Sequence, residues 1–185
     1  EITLAHRGVL FLDELTEFKR QVLEILRQPL EKQEITLTRS AITLTYPCEF
    51  LLVAALNPCP CGYYGTEGRE CFCTPYQRKK YLHKISGPIL DRIDIHLEIP
   101  QLKAEELTTY RQGETSAEIK ERILAAREIQ TQRFKDTSIN YNAEMNTKAV
   151  EKYCLLDEKA EEMIKEAINR LHLSARAYDR ILKLS

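Results

Sequence analysis

Gly8-Val9-Leu10-Phe11-Leu12-Asp13-Glu14-Leu15 is the stretch on which the fold turns. Val9 to Leu12 is apolar without a break and runs straight into two carboxylates. A strand with one face in water alternates polar and apolar residues, so an unbroken apolar run predicts a strand buried on both faces of a parallel sheet. Asp13 then stands at its carboxyl end, the edge where open α/β sheets bind ligands. Two readings of the acidic pair are open from these residues alone. Adjacent carboxylates can divide the work of nucleotide hydrolysis, one holding a magnesium shell and the next polarising the attacking water. They can also simply begin a helix, where acids favour the positive end of the dipole.

Downstream, Phe18, Val22, Ile25 and Leu26 recur at helical spacing, which predicts an amphipathic helix over residues 16–28 closed by Pro29. Ile35 and Leu37, then Ile42 and Leu44, alternate around Thr38-Arg39-Ser40 and predict a hairpin. Phe50 to Leu56 predicts a second buried strand, ending in Asn57-Pro58. The Gly, Pro and Cys-rich segment to about Pro75 is expected to be a loop. A short basic helix follows over about 76–85, and Ile93 to Ile99 alternates as a further strand closed by Pro100. From Ser116 onward the patterns are helical only: Ile119, Ile123 and Ala126; Ala149 and Tyr153; Ala160, Ile164, Ala167 and Leu171; then Tyr178, Ile181 and Leu182 behind a capping Ser174. Strands followed by helices imply two units, residues 1–101 and 102–185.

With 185 residues, 43% of them hydrophobic, the chain can bury one good core or two small ones. No run approaches the roughly 18 apolar residues of a membrane helix, and residues 1–7 lack the pattern of a signal peptide, so a cytoplasmic location without membrane association is expected. A formal net charge of −1 excludes a uniformly basic nucleic-acid binder, though not a local basic surface. The chain opens without methionine, directly into Ile2-Thr3-Leu4, which suggests a piece of something longer. Four of the six cysteines crowd into Cys59, Cys61, Cys71 and Cys73, unlike the spread pairs of a secreted disulfide scaffold. Their CxC, nine residues, CxC spacing can close a tetrahedral structural zinc site with no open coordination position; the alternative is reduced thiols in a mobile loop. Cys48 and Cys154, beside apolar neighbours, read as core residues.

GVLFLDEL, ALNPCPCGYYG, SGPILDRIDIH and LSARAYDRIL, in this order, resemble the magnesium-chelatase-like AAA+ proteins of the ComM/YifB family, and the match spans nearly the whole chain. The resemblance implies an α/β fold: a partial AAA+ P-loop NTPase core with a parallel sheet and a hairpin insertion, followed by an α-helical lid. It implies that Asp13 and Glu14 are the Walker B pair, with Asp13 on magnesium, and that Asn57 is the first sensor, a neutral amide able to orient water beside a phosphate. Without the resemblance Asn57 reads as a turn former ahead of Pro58. Arg92 corresponds to an arginine finger, suited by a fork-shaped, permanent charge; by itself Asp91-Arg92-Ile93-Asp94 reads equally as a local ion-pair cluster. Arg176 resembles the second sensor on a lid helix, against a plain solvated helix residue. ATP, Asp13, Asn57 and Arg176 would meet at one nucleotide site. No GxxxxGK[ST] loop stands in this sequence, so the phosphate cradle is expected upstream.

The family further implies an ATP-driven ring, a hexamer, acting on DNA as a helicase or branch-migration factor in recombination or natural transformation. Two other readings compete: a magnesium-chelatase-type ATPase subunit driving metal insertion, and a non-enzymatic, zinc-stapled interaction module. Relatives share the NPCPCG…CxC segment, which favours zinc at the four cysteines and the ComM/YifB side. They also carry a pore-directed insertion at the hairpin tip, where Arg39 could touch a nucleic-acid backbone; a polar turn in solvent is the simpler account. Arg78, Lys79, Lys80 and Lys84 form a basic patch of open meaning, and His6, His83, His96 and His172 are too scattered to propose as ligands.

Overall fold

The computed structural model describes residues 1–40, 42–102 and 113–185. The chain divides into two units, Glu1–Gln101 and Leu102–Ser185. It is a mixed α/β protein with a small parallel sheet and several helices.

In the first unit β1 (Val9–Leu12) pairs in parallel with β4 (Leu51–Ala54), Val9 opposite Leu51 and Leu12 opposite Ala54. Both apolar runs therefore form strands, as their composition predicts. Leu10, Leu12 and Ala54 pack onto a core of Leu15, Leu23, Leu26, Ile85 and Ile89. The other face differs from expectation: Val9 and Phe11 are each 58% exposed and Leu51 63%. The helices of this unit cover one side of the pair only, and a continuous apolar run stays half in water unless something packs on its second face.

Between these strands the chain makes α1 (Arg20–Ile25), α2 (Arg27–Lys32) and an antiparallel hairpin of β2 (Glu34–Arg39) and β3 (Ile42–Pro47). The hairpin is where alternation puts it, with Thr38 and Arg39 still in the ladder and Ser40 turning in the left-handed region at φ 54°. Threonines form one face, Thr36 to Thr45 at 3.0 Å and Thr38 to Thr43 at 3.3 Å between hydroxyls. The single helix expected over residues 16–28 is broken differently. A 3-10 turn at Leu15–Glu17 precedes α1, and Pro29 opens the second helix rather than closing the first. Proline in a first helical turn loses nothing, because that N–H has no partner within the helix.

α3 (Pro75–Leu82) begins where expected, and the sequence fixes its start. Thr74 Oγ1 accepts from the Gln77 amide at 3.2 Å, and Gln77 Oε1 accepts from the Thr74 amide at 2.8 Å, a reciprocal cap followed by proline at the first position. α4 (Gly87–Leu90) follows. Residues 93–100 form no regular strand, contrary to the alternation, and Leu97 and Ile99 lie in water. Alternation supplies side chains for a face, but a strand also needs a ladder partner, and none of the described strands offers one here.

The second unit is helical: α5 (Ser116–Arg133), α6 (Thr147–Tyr153), α7 (Glu158–Leu171) and α8 (Ala175–Leu184). Each start carries a side-chain cap: Thr115, Asn146, Asp157 and Ser174 accept from the amide three residues on, satisfying groups that helix ends leave orphaned. Phe134, Met145, Ala149, Val150, Ile164 and Leu182 form the core, with Cys154 and Ile168 packed against it. Phe134 meets Tyr153 edge-on at 5.3 Å between ring centres. The apolar stripe of α5 is exposed at Ile119 and Ile123; only the residue after the helix, Phe134, enters the core. Residues 103–112 lie outside the described residues.

Candidate functional site

Parallel pairing sets the carboxyl ends of β1 and β4 at one sheet edge. Asp13 follows Leu12 directly, and Asn57 follows Ala54 by three residues. The ladder closes just beyond the strands: Ala55 donates to the Leu12 carbonyl and Leu15 to the Ala55 carbonyl, both at 2.9 Å. This holds the Asp13-Glu14 turn against the chain leading to Asn57. Glu14 takes a left-handed conformation, φ 50° and ψ 48°, and its amide donates to Asp13 Oδ1 at 2.9 Å. A residue with a Cβ is held there at a cost of about 1 kcal/mol or more, and the result is that consecutive carboxylates do not continue a strand or start a regular helix. Asp13, Glu14 and Asn57 are all exposed. Two acids and an amide at one edge suit a hydrated divalent cation and an anionic ligand bound through it.

Thr16, just behind the pair, is wholly buried, and its hydroxyl has no hydrogen-bond partner among the described residues. Sequence reading passed over it, since an isolated threonine between Leu15 and Glu17 carries no signal.

Arg92 is not at this edge's surface. Its guanidinium is 6% exposed with the residue, pairs with Glu31 Oε1 at 2.6 Å, and donates to the Pro88 carbonyl. Glu31 is the partner that sequence reading missed. It lies on α2, past the proline taken as a helix end, so its position opposite Arg92 was not visible. Arg176 stands in the first turn of α8, exposed, in the second unit. Arg39 is exposed at the hairpin tip, opposite Ile42. A groove of about 390 Å³ lined by His6, Lys32, Glu34 and Glu49 holds none of these residues.

The four cysteines come together from both ends of the loop. Their Sγ atoms lie within 4.8 Å of one another, with Cys59 to Cys61 at 3.3 Å, Cys59 to Cys71 at 3.7 Å and Cys61 to Cys71 at 3.6 Å. A tetrahedral zinc with bonds near 2.3 Å sets its sulfurs about 3.8 Å apart, so the donor set and its spacing fit that ion. The Tyr63 backbone amide, helped by the neighbouring thiols, lowers Cys61 to about 6. Desolvation and the Cys61 and Cys59 sulfurs push Cys73 up to about 12. A cation bound among these sulfurs would favour their ionised form. The loop is otherwise held by polar contacts: Arg69 lies over Tyr63 at 4.6 Å, Arg78 over Tyr64 at 4.3 Å, and Arg78 donates to the Cys73 carbonyl at 2.6 Å. Cys48 is fully buried, and burial raises its thiol.

No described helix is long and apolar enough to cross a membrane. The family profile described as magnesium chelatase, subunit ChlI, matches residues 1–107, and that of the subunit ChlI C-terminal region matches 113–185. Similarity runs along the whole chain to the competence protein ComM of Haemophilus influenzae, 48% identical, and to the uncharacterized protein YifB of Salmonella typhimurium and of Escherichia coli, 43% and 44% identical. The chain spans 35 to 36% of the length of these relatives. With profiles of both parts matched over nearly all residues, the chain belongs to the magnesium chelatase subunit ChlI family.

Proposed function

We propose that this chain is the second part of an AAA+ nucleotide-hydrolysing core, joined to its helical lid, within a longer ATP-driven protein that acts on DNA. The observation that carries the reading is the shared edge of β1 and β4, which brings Asp13, Glu14 and Asn57 together. In this reading Asp13 holds the water shell of Mg²⁺, Glu14 polarises the attacking water, and Asn57 orients it without adding charge. Magnesium would supply charge neutralisation at the phosphates. The phosphate cradle comes from a segment outside these residues.

Arg92 carries the role of a finger only by exchanging Glu31 for a phosphate of a neighbouring subunit in a ring, a hexamer by family resemblance. Glu31 is 42% exposed, so the pair can open from that side. Arg176, on the capped first turn of α8, serves as the lid's sensor. The four cysteines hold a structural Zn²⁺ that stiffens a loop without a core of its own.

The ring is proposed to work in the cytoplasm as a helicase or branch-migration motor. Similarity along this whole chain to 35% of a protein named for competence favours that substrate. The profile's description favours the second reading, a chelatase-type subunit driving metal insertion. The full-length protein separates hydrolysis from binding: Glu14→Gln is expected to retain ATP and lose turnover, and unchanged turnover in that variant would remove Glu14 from the role.

A further inference from the structure

The cysteine-rich loop leads through Thr74 into a helix face with its own chemistry. Tyr76, Lys79, Lys80 and His83 stand at i, i+3, i+4 and i+7 of α3 and the turn after it, one side of a helix, and line a shallow groove of about 260 Å³. Tyr76 is 73% exposed, and Phe72, between Cys71 and Cys73, is 83% exposed. From Tyr76 to Lys84 there are four cations, Arg78, Lys79, Lys80 and Lys84, and no acid, in a chain whose net charge is −1.

Two of these cations are engaged. Arg78 covers Tyr64, and Lys84 reaches Glu17 at 3.7 Å. Lys79 and Lys80 have no carboxylate within ion-pair distance among the described residues. The helix that carries Tyr76 is anchored: Tyr81 on the opposite side of α3 is buried, and the capping box fixes the helix start. A large exposed ring beside ammonium groups suits a ligand with flat apolar faces and a regular negative charge.

We propose that this face, formed by Tyr76, Lys79 and Lys80, binds single-stranded nucleic acid, a base stacking on the ring and phosphates meeting the two lysines. A duplex is the poorer ligand, because its bases already stack on one another. The inference deepens the DNA reading above, but it stands on residues of this chain and does not require the nucleotide site.

The test is fluorescence anisotropy of the 185-residue chain, with zinc in the buffer, against labelled oligothymidylate of about 16 nucleotides and a duplex of equal length. Wild type is expected to prefer the single strand. Tyr76→Ala is expected to weaken it by about 5- to 100-fold while Tyr76→Phe stays within about twofold. Lys79→Gln with Lys80→Gln is expected to flatten the salt dependence by about 1.4 in slope. Circular dichroism of each variant guards against misfolding. No binding by wild type, equal binding of duplex, or an affinity indifferent to Tyr76→Ala overturns the proposal; the last result marks the patch as a protein contact or plain surface. In the full-length protein, DNA stimulation that survives Tyr76→Ala removes this face and leaves the motor. Single-strand binding through these residues without DNA-stimulated hydrolysis removes the motor and leaves the face.

Discussion

Glu31→Gln should destabilise the first unit more than removal of the arginine it faces. The Arg92 side chain is 3% exposed and sits 2.6 Å from Glu31, whose own side chain is 42% exposed. Breaking a fully buried pair by removing one partner costs about 3–5 kcal/mol, and an exposed pair is worth about 0–1 kcal/mol. This pair lies between, with the charge that cannot leave on the arginine. Glutamine keeps the shape and one acceptor but strands the guanidinium, so about 2 kcal/mol is expected. Arg92→Met, similar in volume, lets Glu31 turn to solvent and should cost about 1 kcal/mol or less. The double variant should match Arg92→Met to within about 0.5 kcal/mol, since the strain of Glu31→Gln exists only while Arg92 is present. For a unit of this size about 2 kcal/mol lowers the melting midpoint by roughly 8–16 °C. Thermal unfolding by circular dichroism, with hydrogen exchange over residues 85–92 to assign the transition to the first unit, measures all three. A larger loss in Arg92→Met than in Glu31→Gln, or additive losses in the double variant, would refute the reasoning.

Metal analysis of tag-free protein should find one zinc per chain, and Cys71→Ser should lose it; less than half an equivalent, with all four thiols freely reactive, contradicts the site. Zinc competes with protons for the thiols, so affinity should fall with acidification, and more steeply below the Cys61 value of about 6, where that sulfur too must lose a proton to bind; competition with a chromophoric chelator across that range reads it. Phe134→Ala should cost about 3–5 kcal/mol in the second unit by opening a cavity among Met145, Val150 and Leu182, seen as one lowered unfolding transition with zinc content unchanged. Ser174→Ala should cost about 1 kcal/mol through its lost cap, with faster hydrogen exchange in the first turn of α8, where Arg176 sits. The isolated chain should not hydrolyse ATP, and magnesium-dependent turnover abolished by Glu14→Gln would show that it does.

The strand ends were legible because Val9–Leu12 and Phe50–Leu56 are unbroken apolar runs that finish in residues of a different chemistry. The cysteine cluster was legible from spacing, and Ser174 announced a helix start. Other features depend on contacts that no local pattern encodes. Pro29 fits a helix end and a helix start equally well, and the difference hid Glu31, which pairs with Arg92 at 2.6 Å. Ile93 to Ile99 has the alternation of a strand, but pairing is a property of two segments. The left-handed turn at Glu14 is likewise invisible in sequence, because only tertiary hydrogen bonds, Leu15 to Ala55 and Ala55 to Leu12, compel it. The apolar residues that stay exposed on β1 and β4 have the composition of buried ones; how they are covered is decided by residues beyond their own pattern.

Asp13-Glu14 is proposed as the working pair of a DNA-dependent ATPase, and steady-state ATP hydrolysis by the full-length protein, with and without single-stranded DNA, tests that role most directly. Magnesium-dependent turnover that rises with DNA and disappears in Glu14→Gln, while ATP binding persists, is the predicted result. Turnover indifferent to DNA, or undiminished in Glu14→Gln, would contradict it.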